Sequence, residues 1–266
     1  MSDQGAAPGQ QGGVCFHCPC VEVALPTDEG PRTILAGLGF DIHVGEFVSL
    51  VGRSGTGKTT LLRVLGGLLA PDPGSTVLFD GVPVKGPPEG VVMVFQNYGS
   101  SLLPWRTLEK NVALGIEDDL GKEEQRERVR WALQMVGLAD RAQDYPWRLS
   151  GGMQQRLQIA RALAMRPSVL LMDEPFGALD AMTRGELEDE LLAVHEATGT
   201  TVVFVTHDID EAVYLSDRVL VIQGSPATLG AEIPVECDRP RHQIKTKESE
   251  GFLKARQAVY EAIGVA

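Results

Sequence analysis

Residues 50–62 read LVGRSGTGKTTLL: an apolar run, a loop with three glycines, a lysine, two threonines and the start of a leucine-rich stretch. Gly52, Arg53, Ser54, Gly55, Thr56, Gly57, Lys58 and Thr59 satisfy GxxxxGK[ST] at every fixed position. No other stretch constrains the fold as strongly, because the pattern requires a strand, a tight loop and a helix in succession. Glycines let backbone N–H groups curl around phosphate oxygens, and the helix start turns its positive dipole end toward them. Gly52, Ser54, Gly55, Gly57, Lys58, Thr59 and Thr60 are the candidate phosphate-holding residues. Lys58 would reach the β/γ-phosphates of a nucleoside triphosphate, and the Thr59 hydroxyl would ligate Mg²⁺.

Such a site needs carboxylates on a neighbouring strand. Val169-Leu-Leu-Met-Asp173-Glu174 ends a buried-type apolar run in two acids. A carboxylate there is costly without a cation, and Mg²⁺ is its natural partner. Asp173 is therefore the second candidate metal ligand, and Glu174 is the candidate for polarising the attacking water. Val205-Thr206-His207-Asp208 brings a histidine to the end of another such run. A strand-end histidine is usually structural, but this one leaves the sheet at the edge where α/β folds place ligands. Asp208 reads as the cap of the helix that follows.

Val169–Met172, Val202–Val205 and Val219–Ile222 are short, continuous, β-branched runs separated by helical stretches, which indicates a buried parallel sheet. The expected fold class is α/β: a P-loop NTPase core carrying an antiparallel β subdomain and an inserted α-helical subdomain. The expected division is a tail over 1–13, a single domain over 14–223 with its core in 14–96 and 166–223 and a helical insertion over 97–165, and a C-terminal tail over 224–266 that ends in a candidate amphipathic helix (Phe252, Leu253, Val259, Tyr260, Ile263). Gly45, between residues 39–44 and 46–51, predicts a hairpin leading into the glycine loop. In CFHCPC, Val14, Phe16, Cys18 and Cys20 alternate as one strand face would. Cys15, Cys18, Cys20 and His17 raise a metal-site alternative, but no second CxxC pair completes it.

Lys plus Arg number 24 and Asp plus Glu 36, a formal charge of −12. That balance argues against a sequence-independent grip on nucleic acid and against anionic lipid. Apolar runs fall well short of the roughly 18 residues of a spanning helix. The N-terminus lacks a basic start and an apolar stretch, so the expectation is a cytosolic chain.

Leu149-Ser150-Gly151-Gly152-Met153-Gln154-Gln155-Arg156 is locally a serine-capped, glycine-started helix, a second anion-type site. LSGGMQQR, placed between the glycine loop and the DE strand, resembles the signature motif of ATP-binding cassette (ABC) ATPases. The resemblance spans roughly residues 20–223 and implies ATP and Mg²⁺ as cofactors. By it, Ser150, Gly151 and Gly152 of one subunit bind the γ-phosphate of ATP held by another. Gln96 contacts Mg²⁺ and connects the site to a membrane partner. Ala178-Leu179-Asp180 crosses the dimer interface, Glu174 is the general base and His207 the switch histidine. The family's adenine-stacking aromatic has no counterpart here, since Leu25 occupies that neighbourhood.

Leu102, Leu103, Pro104 and Trp105 form an apolar cluster that reads equally as core packing or, by the resemblance, as a docking surface for a transmembrane subunit. LLPWRTLEKNVALG with DEPFGALDAMTR is similar to the importer branch that serves nitrate, sulfonate and taurine. The implied assembly has transmembrane permeases, a substrate-binding protein and an ATP-driven homodimer, or heterodimer with a paralogue, at the cytoplasmic face of a bacterial inner membrane. Alternatives are the ATPase of another ABC transporter, for lipid or another solute, a soluble non-transport ABC ATPase, or a P-loop small-molecule kinase.

Overall fold

The computed structural model describes residues 13–28, 30–95, 101–177 and 179–264. Two sheets carry the chain. β1 (Val14–Thr27), β2 (Gly30–His43), β4 (Thr76–Phe79) and β5 (Val82–Pro83) form an antiparallel sheet in the order β2-β1-β4-β5. The second sheet has six strands in the order β10-β9-β3-β8-β7-β6. Its members are β3 (Phe47–Val51), β6 (Val91–Val94), β7 (Val169–Asp173), β8 (Thr201–Val205), β9 (Arg218–Gln223) and β10 (Thr228–Pro234).

Strands β9, β3, β8, β7 and β6 run parallel. β3, β7 and β8 are buried at every position. Strands covered on both faces are apolar nearly throughout, as VLLM and VVFV are, and the one polar side chain of β3, Ser49, is buried with its hydroxyl hydrogen-bonded to that of Ser216. The helices follow the strands in turn: α1 (Lys58–Leu65), α2 (Leu108–Ala113), α3 (Lys122–Met135), α4 (Gly151–Ala164), α5 (Ala181–Thr198), α6 (Ile209–Leu215) and α7 (Glu250–Ile263). Helices α2, α3 and α4 pack on one another between β6 and β7 in the chain, in the segment where an inserted helical subdomain was expected.

The structure corrects three local expectations. Residues 39–44 and 46–51 do not form a hairpin: β2 pairs with β1, whereas β3 pairs with β8 and β9 in the other sheet. Gly45 (φ 75°) turns the chain from one sheet into the other. A turn and a sheet-to-sheet crossing look alike locally, and only the apolar run of β3, broken by Ser49 alone, against the alternating β2 separates them.

The alternation in β1 is broken as well. Cys15, Phe16 and Cys18 are buried while Val14 and Cys20 are exposed, because the register with β2 shifts between Val14 and Phe16 and again between Cys18 and Val21. A bulge puts two successive side chains on one face. All four cysteines are free thiols, and burial pushes the Cys15 thiol up to about 11. Among the described residues no three His, Cys, Asp or Glu side chains are grouped to hold a metal ion.

The segment after Gly224 does not hang free as a tail. β10 adds an antiparallel edge strand to β9, and α7 docks on α6, β9 and β10. Ile233, Val235, Phe252, Ala255 and Val259 are buried in the same apolar cluster as β3, β7 and β8 residues. Arg218 ties this edge together: Nε donates to Glu46 at 2.8 Å and Nη1 to Glu232 at 2.6 Å. Among the described residues, no helix is long and apolar enough to cross a membrane.

Candidate functional site

The glycine loop leaves β3, the strand flanked by β9 and β8, at its C-terminal end, where open α/β sheets form ligand crevices. Two of its glycines are sterically required. A Cβ on Gly52 would stand 2.2 Å from the Ile222 carbonyl oxygen of β9. Gly57 caps α1 in the left-handed region (φ 92°), and a Cβ there would lie 2.8 Å from Leu35 Cδ2. Gly57 offers no side-chain cap, so its helix start presents backbone N–H groups to the loop.

Lys58 is buried and folds back along the loop, donating from Nζ to the carbonyls of Gly52 at 2.8 Å and Arg53 at 3.1 Å. Burial lowers its pKa, against the opposing pull of Glu174 and Asp173. Thr59 Oγ1 donates to Asp173 Oδ1 at 3.0 Å. Asp173 is buried at the end of β7; desolvation raises its pKa, and the Thr59 hydrogen bond works against that rise. A desolvated carboxylate beside a hydroxyl, with Lys58 turned toward backbone carbonyls, is a hard-oxygen pair suited to a divalent cation.

Glu174 adopts a left-handed conformation (φ 42°) and donates its N–H to the Val205 carbonyl at 2.9 Å. That hook turns the chain off β7 and brings the carboxylate 3.4 Å from His207 Nδ1. His207, more than half exposed, follows Thr206 off β8. Asp208 caps α6, accepting the Glu211 N–H at 3.1 Å. Lys58, Thr59, Asp173, Glu174 and His207 thus converge on one sheet edge, with Thr60 in the first turn of α1 beside Thr59.

Ser150, Gly151 and Gly152 form a second group. Ser150 caps α4, accepting the Met153 N–H at 3.4 Å. Gly152 abuts α5 so closely that a Cβ would stand 2.5 Å from Thr183 Cγ2. Asp180 caps α5, accepting from Met182 and Thr183 at 3.1 Å each, and the Thr183 N–H holds its pKa down. Among the described residues, no hydrogen bond joins Ser150, Gly151, Gly152 or Asp180 to the glycine loop. Gln96 lies outside the described residues. Its flank Phe95 accepts from Gln158 Nε2 at 3.4 Å, and the same nitrogen reaches Ser101 Oγ at 2.9 Å. Leu25 is partly buried against the antiparallel-sheet cluster, while Trp105 is 73% exposed and Leu102 buried. The four-residue apolar cluster is therefore divided between core and surface.

Reading the sequence missed Arg184, Thr206 and Glu211, which surround this edge. Arg184 carried a usable signal: a cation at the fourth position of a helix opposes the macrodipole and calls for an anionic partner.

A nucleotide loop on a central parallel strand, an acid pair on the next strand but one and a serine-capped helix in an inserted subdomain define an ATP-binding cassette. The chain belongs to the ABC transporter family, whose model matches residues 35–177. It is 43% identical over 91% of its length to a nitrate import ATP-binding protein, NrtD, of Synechococcus elongatus, covering 88% of that protein. It is 42% identical to a nitrate transport protein, NasD, of Klebsiella oxytoca, over 90% of this chain and 92% of the other. A bicarbonate transport ATP-binding protein, CmpC, of Synechococcus elongatus is also 42% identical, but this chain spans only 36% of it. Among solved structures, cbiO1 of Clostridium perfringens, part of an ABC transporter complex, aligns with a TM-score of 0.74 at 28% identity, over 82% of this chain and 88% of that one. A dimeric ATP-binding cassette in a post-hydrolysis state bound to ADP and Pi aligns with a TM-score of 0.70 at 31% identity, over 82% and 98%.

Proposed function

We propose that this chain is the ATP-hydrolysing subunit of an importer for a small anionic solute, with nitrate or a similarly compact oxyanion as its cargo class. The convergence of Lys58, Thr59, Asp173, Glu174 and His207 on one sheet edge carries the ATPase reading. The importer reading rests on the nitrate relatives, which this chain matches along almost their whole length. Nitrate and bicarbonate, the solutes those relatives' names print, are both planar monoanions with three oxygens around a central atom.

In this reading the loop from Gly52 through Ser54 and Gly55 to Gly57 wraps the phosphates, Lys58 releases its backbone carbonyls to meet them, and Thr59, Asp173 and Gln96 hold Mg²⁺. The ion supplies charge neutralisation on the β- and γ-phosphates when bound. Glu174 accepts a proton from water as the water oxygen bonds to the γ-phosphorus and the bond to the ADP oxygen breaks. His207, beside Glu174, contacts the γ-phosphate. Ser150, Gly151 and Gly152 of a second cassette close over that phosphate, with Asp180 at the shared interface. The pair forms beneath two transmembrane permeases, at the cytoplasmic face of a bacterial inner membrane, and a substrate-binding protein delivers the solute from the other side. Closure and reopening of the cassettes would rock the permeases between their two states.

Light scattering on Glu174→Gln, with and without Mg-ATP, tests the reading. The expected result is monomers that become dimers with Mg-ATP, and no dimer when Ser150→Arg is added. Tight ATP binding with dimers that tolerate Ser150→Arg would overturn the cross-subunit assignment. Phosphorylation of a small acceptor without free phosphate release would replace the ATPase by a kinase.

A further inference from the structure

Arg184 is the fourth residue of α5, and its N–H makes the first intrahelical bond, to the Asp180 carbonyl at 2.9 Å. A cation so near a helix N-terminus works against the local field. Its partners account for it. Nη1 donates to Asp208 Oδ2 at 3.0 Å, and Nη2 donates to the Leu179 carbonyl at 3.2 Å. Among the described residues the buried Nε has no hydrogen-bond partner, so these two bonds set the orientation of the guanidinium plane.

Leu179 immediately precedes Asp180, and Asp208 immediately follows His207. One planar group therefore spans the loop after β7 and the loop after β8. Asp208 is fixed from other directions too: Oδ1 accepts the Glu211 N–H at 3.1 Å, and its own N–H donates to Thr206 Oγ1 at 3.0 Å. His207 lies between those two anchored residues, with its ring 3.4 Å from Glu174. Arg184 also lines a small recess with Glu174, Gly177, His207 and Glu211.

We propose that Arg184 is a positioning residue that locks the Leu179–Asp180 loop to the His207 loop, so that movement of the first sets where His207 stands against Glu174. The inference rests on the ATPase reading above. The two hydrogen bonds of the Arg184 guanidinium go to Asp208 and to the Leu179 backbone, and it acts on His207 through them. Its loss should slow turnover and leave ATP binding intact, because the glycine loop and Lys58 lie outside its contacts.

Steady-state ATP hydrolysis by the full chain, with melting temperatures measured alongside, tests this for Arg184→Gln, Arg184→Lys, Asp208→Asn and the Arg184→Gln/Asp208→Asn double variant. The expected result is a kcat at least tenfold lower for Arg184→Gln with KM for ATP within twofold. Arg184→Lys should fall in between, since an ammonium can keep Asp208 but cannot span both acceptors. The double variant should be no slower than Arg184→Gln alone, because both changes cut one link. Wild-type kcat in Arg184→Gln overturns the inference. So do additive losses in the double variant, or a kcat that only follows melting temperature with Lys no better than Gln. A wild-type chain that binds ATP without hydrolysing it overturns the ATPase reading and this inference together, a result distinct from a working enzyme indifferent to Arg184.

Discussion

Thr59 and Asp173, 114 residues apart in the chain, meet at 3.0 Å where the first turn of α1 passes the end of β7. Asp173 is buried there, and desolvation raises its pKa. A carboxyl group whose folded pKa exceeds its unfolded value stabilises the fold below the unfolded pKa and loses that contribution as pH rises through the folded one. At neutral pH without Mg-ATP the charged group is therefore a liability to the fold. Asp173→Asn should raise the melting temperature of the ligand-free protein by roughly 2–4 °C for each kcal/mol relieved while lowering ATP hydrolysis at least about a hundredfold. Calorimetry beside a Mg²⁺ titration of hydrolysis checks both. A lower melting temperature would mean that the ionised carboxylate contributes to the ligand-free fold.

The glycine loop has a steric requirement independent of its chemistry. A Cβ on Gly52 would lie 2.2 Å from the Ile222 carbonyl, which belongs to backbone of β9 and cannot rotate away as a side chain could. Gly52→Ala should cost about 2–4 kcal/mol in stability and weaken nucleotide binding at least tenfold, since the loop and β9 must separate. Denaturant unfolding and binding of a fluorescent ATP analogue would measure the two losses. Gly55, whose Cβ would meet nothing within 4 Å, supplies the contrast. Its φ of 79° makes alanine strained there but free of collision, so Gly55→Ala should be the milder change.

Much of this arrangement was legible in the sequence because it is local. GxxxxGK[ST] fixes strand, loop and helix within eight residues, and the apolar runs ending in Asp173 and in Val205 declare buried strands whatever their neighbours are. Other features depend on contacts that no window spans. The turn at Gly45 reads as a hairpin because which sheet β3 joins is decided by Val202 and Val219, far along the chain. β10, TLGAEIP, has a single buried residue, Ile233, and so little pattern to see. Register shifts moved Cys15 inward and left Cys20 outside. Arg184 shows its purpose only when Asp208 is beside it. Two independent groups of candidate site residues are legible as motifs, and the position of Arg184 in its helix calls for an anion, whereas which acid answers it, and the link this makes between the Asp180 and His207 loops, is visible only in three dimensions.

Glu211 is buried behind the His207 loop, and its pKa is raised to about 8 from 4.5, chiefly by desolvation. The Thr206 hydroxyl donates to it and lowers that value, as does Arg184, while Glu188 and Asp208 raise it. Between pH 4.5 and 8 the folded protein holds a proton that the unfolded chain has released, so stability falls as pH rises across that window. The contribution of this single group approaches about 1.4 kcal/mol per pH unit. Glu211→Gln should flatten the dependence and leave the variant more stable than wild type at pH 9, where wild type must bury the charge. Urea unfolding at several pH values decides this. Equal slopes in both proteins would show that Glu211 stays ionised in the fold.

The C-terminal helix makes the last prediction, because a segment read as a tail is part of the core. Ser249 caps α7, accepting the Phe252 N–H at 3.3 Å, and Phe252 is fully buried with Val259 two turns on along the same face. At the other end the Gly264 carbonyl accepts from Arg53 of the glycine loop at 3.5 Å. Removing a buried phenylalanine ring leaves a cavity that rigid surroundings fill only in part, so Phe252→Ala should cost about 3–5 kcal/mol. Leu253, 42% exposed on the same helix, should tolerate alanine within about 0.5 kcal/mol. If α7 were a dispensable appendage, both variants would melt like wild type, and deleting residues 250–266 would do no more. A large loss at Phe252 with KM for ATP unchanged would show that the helix supports the sheet beneath the nucleotide loop. A raised KM accompanying it would place the Arg53 contact in the path by which the C-terminus reaches the site.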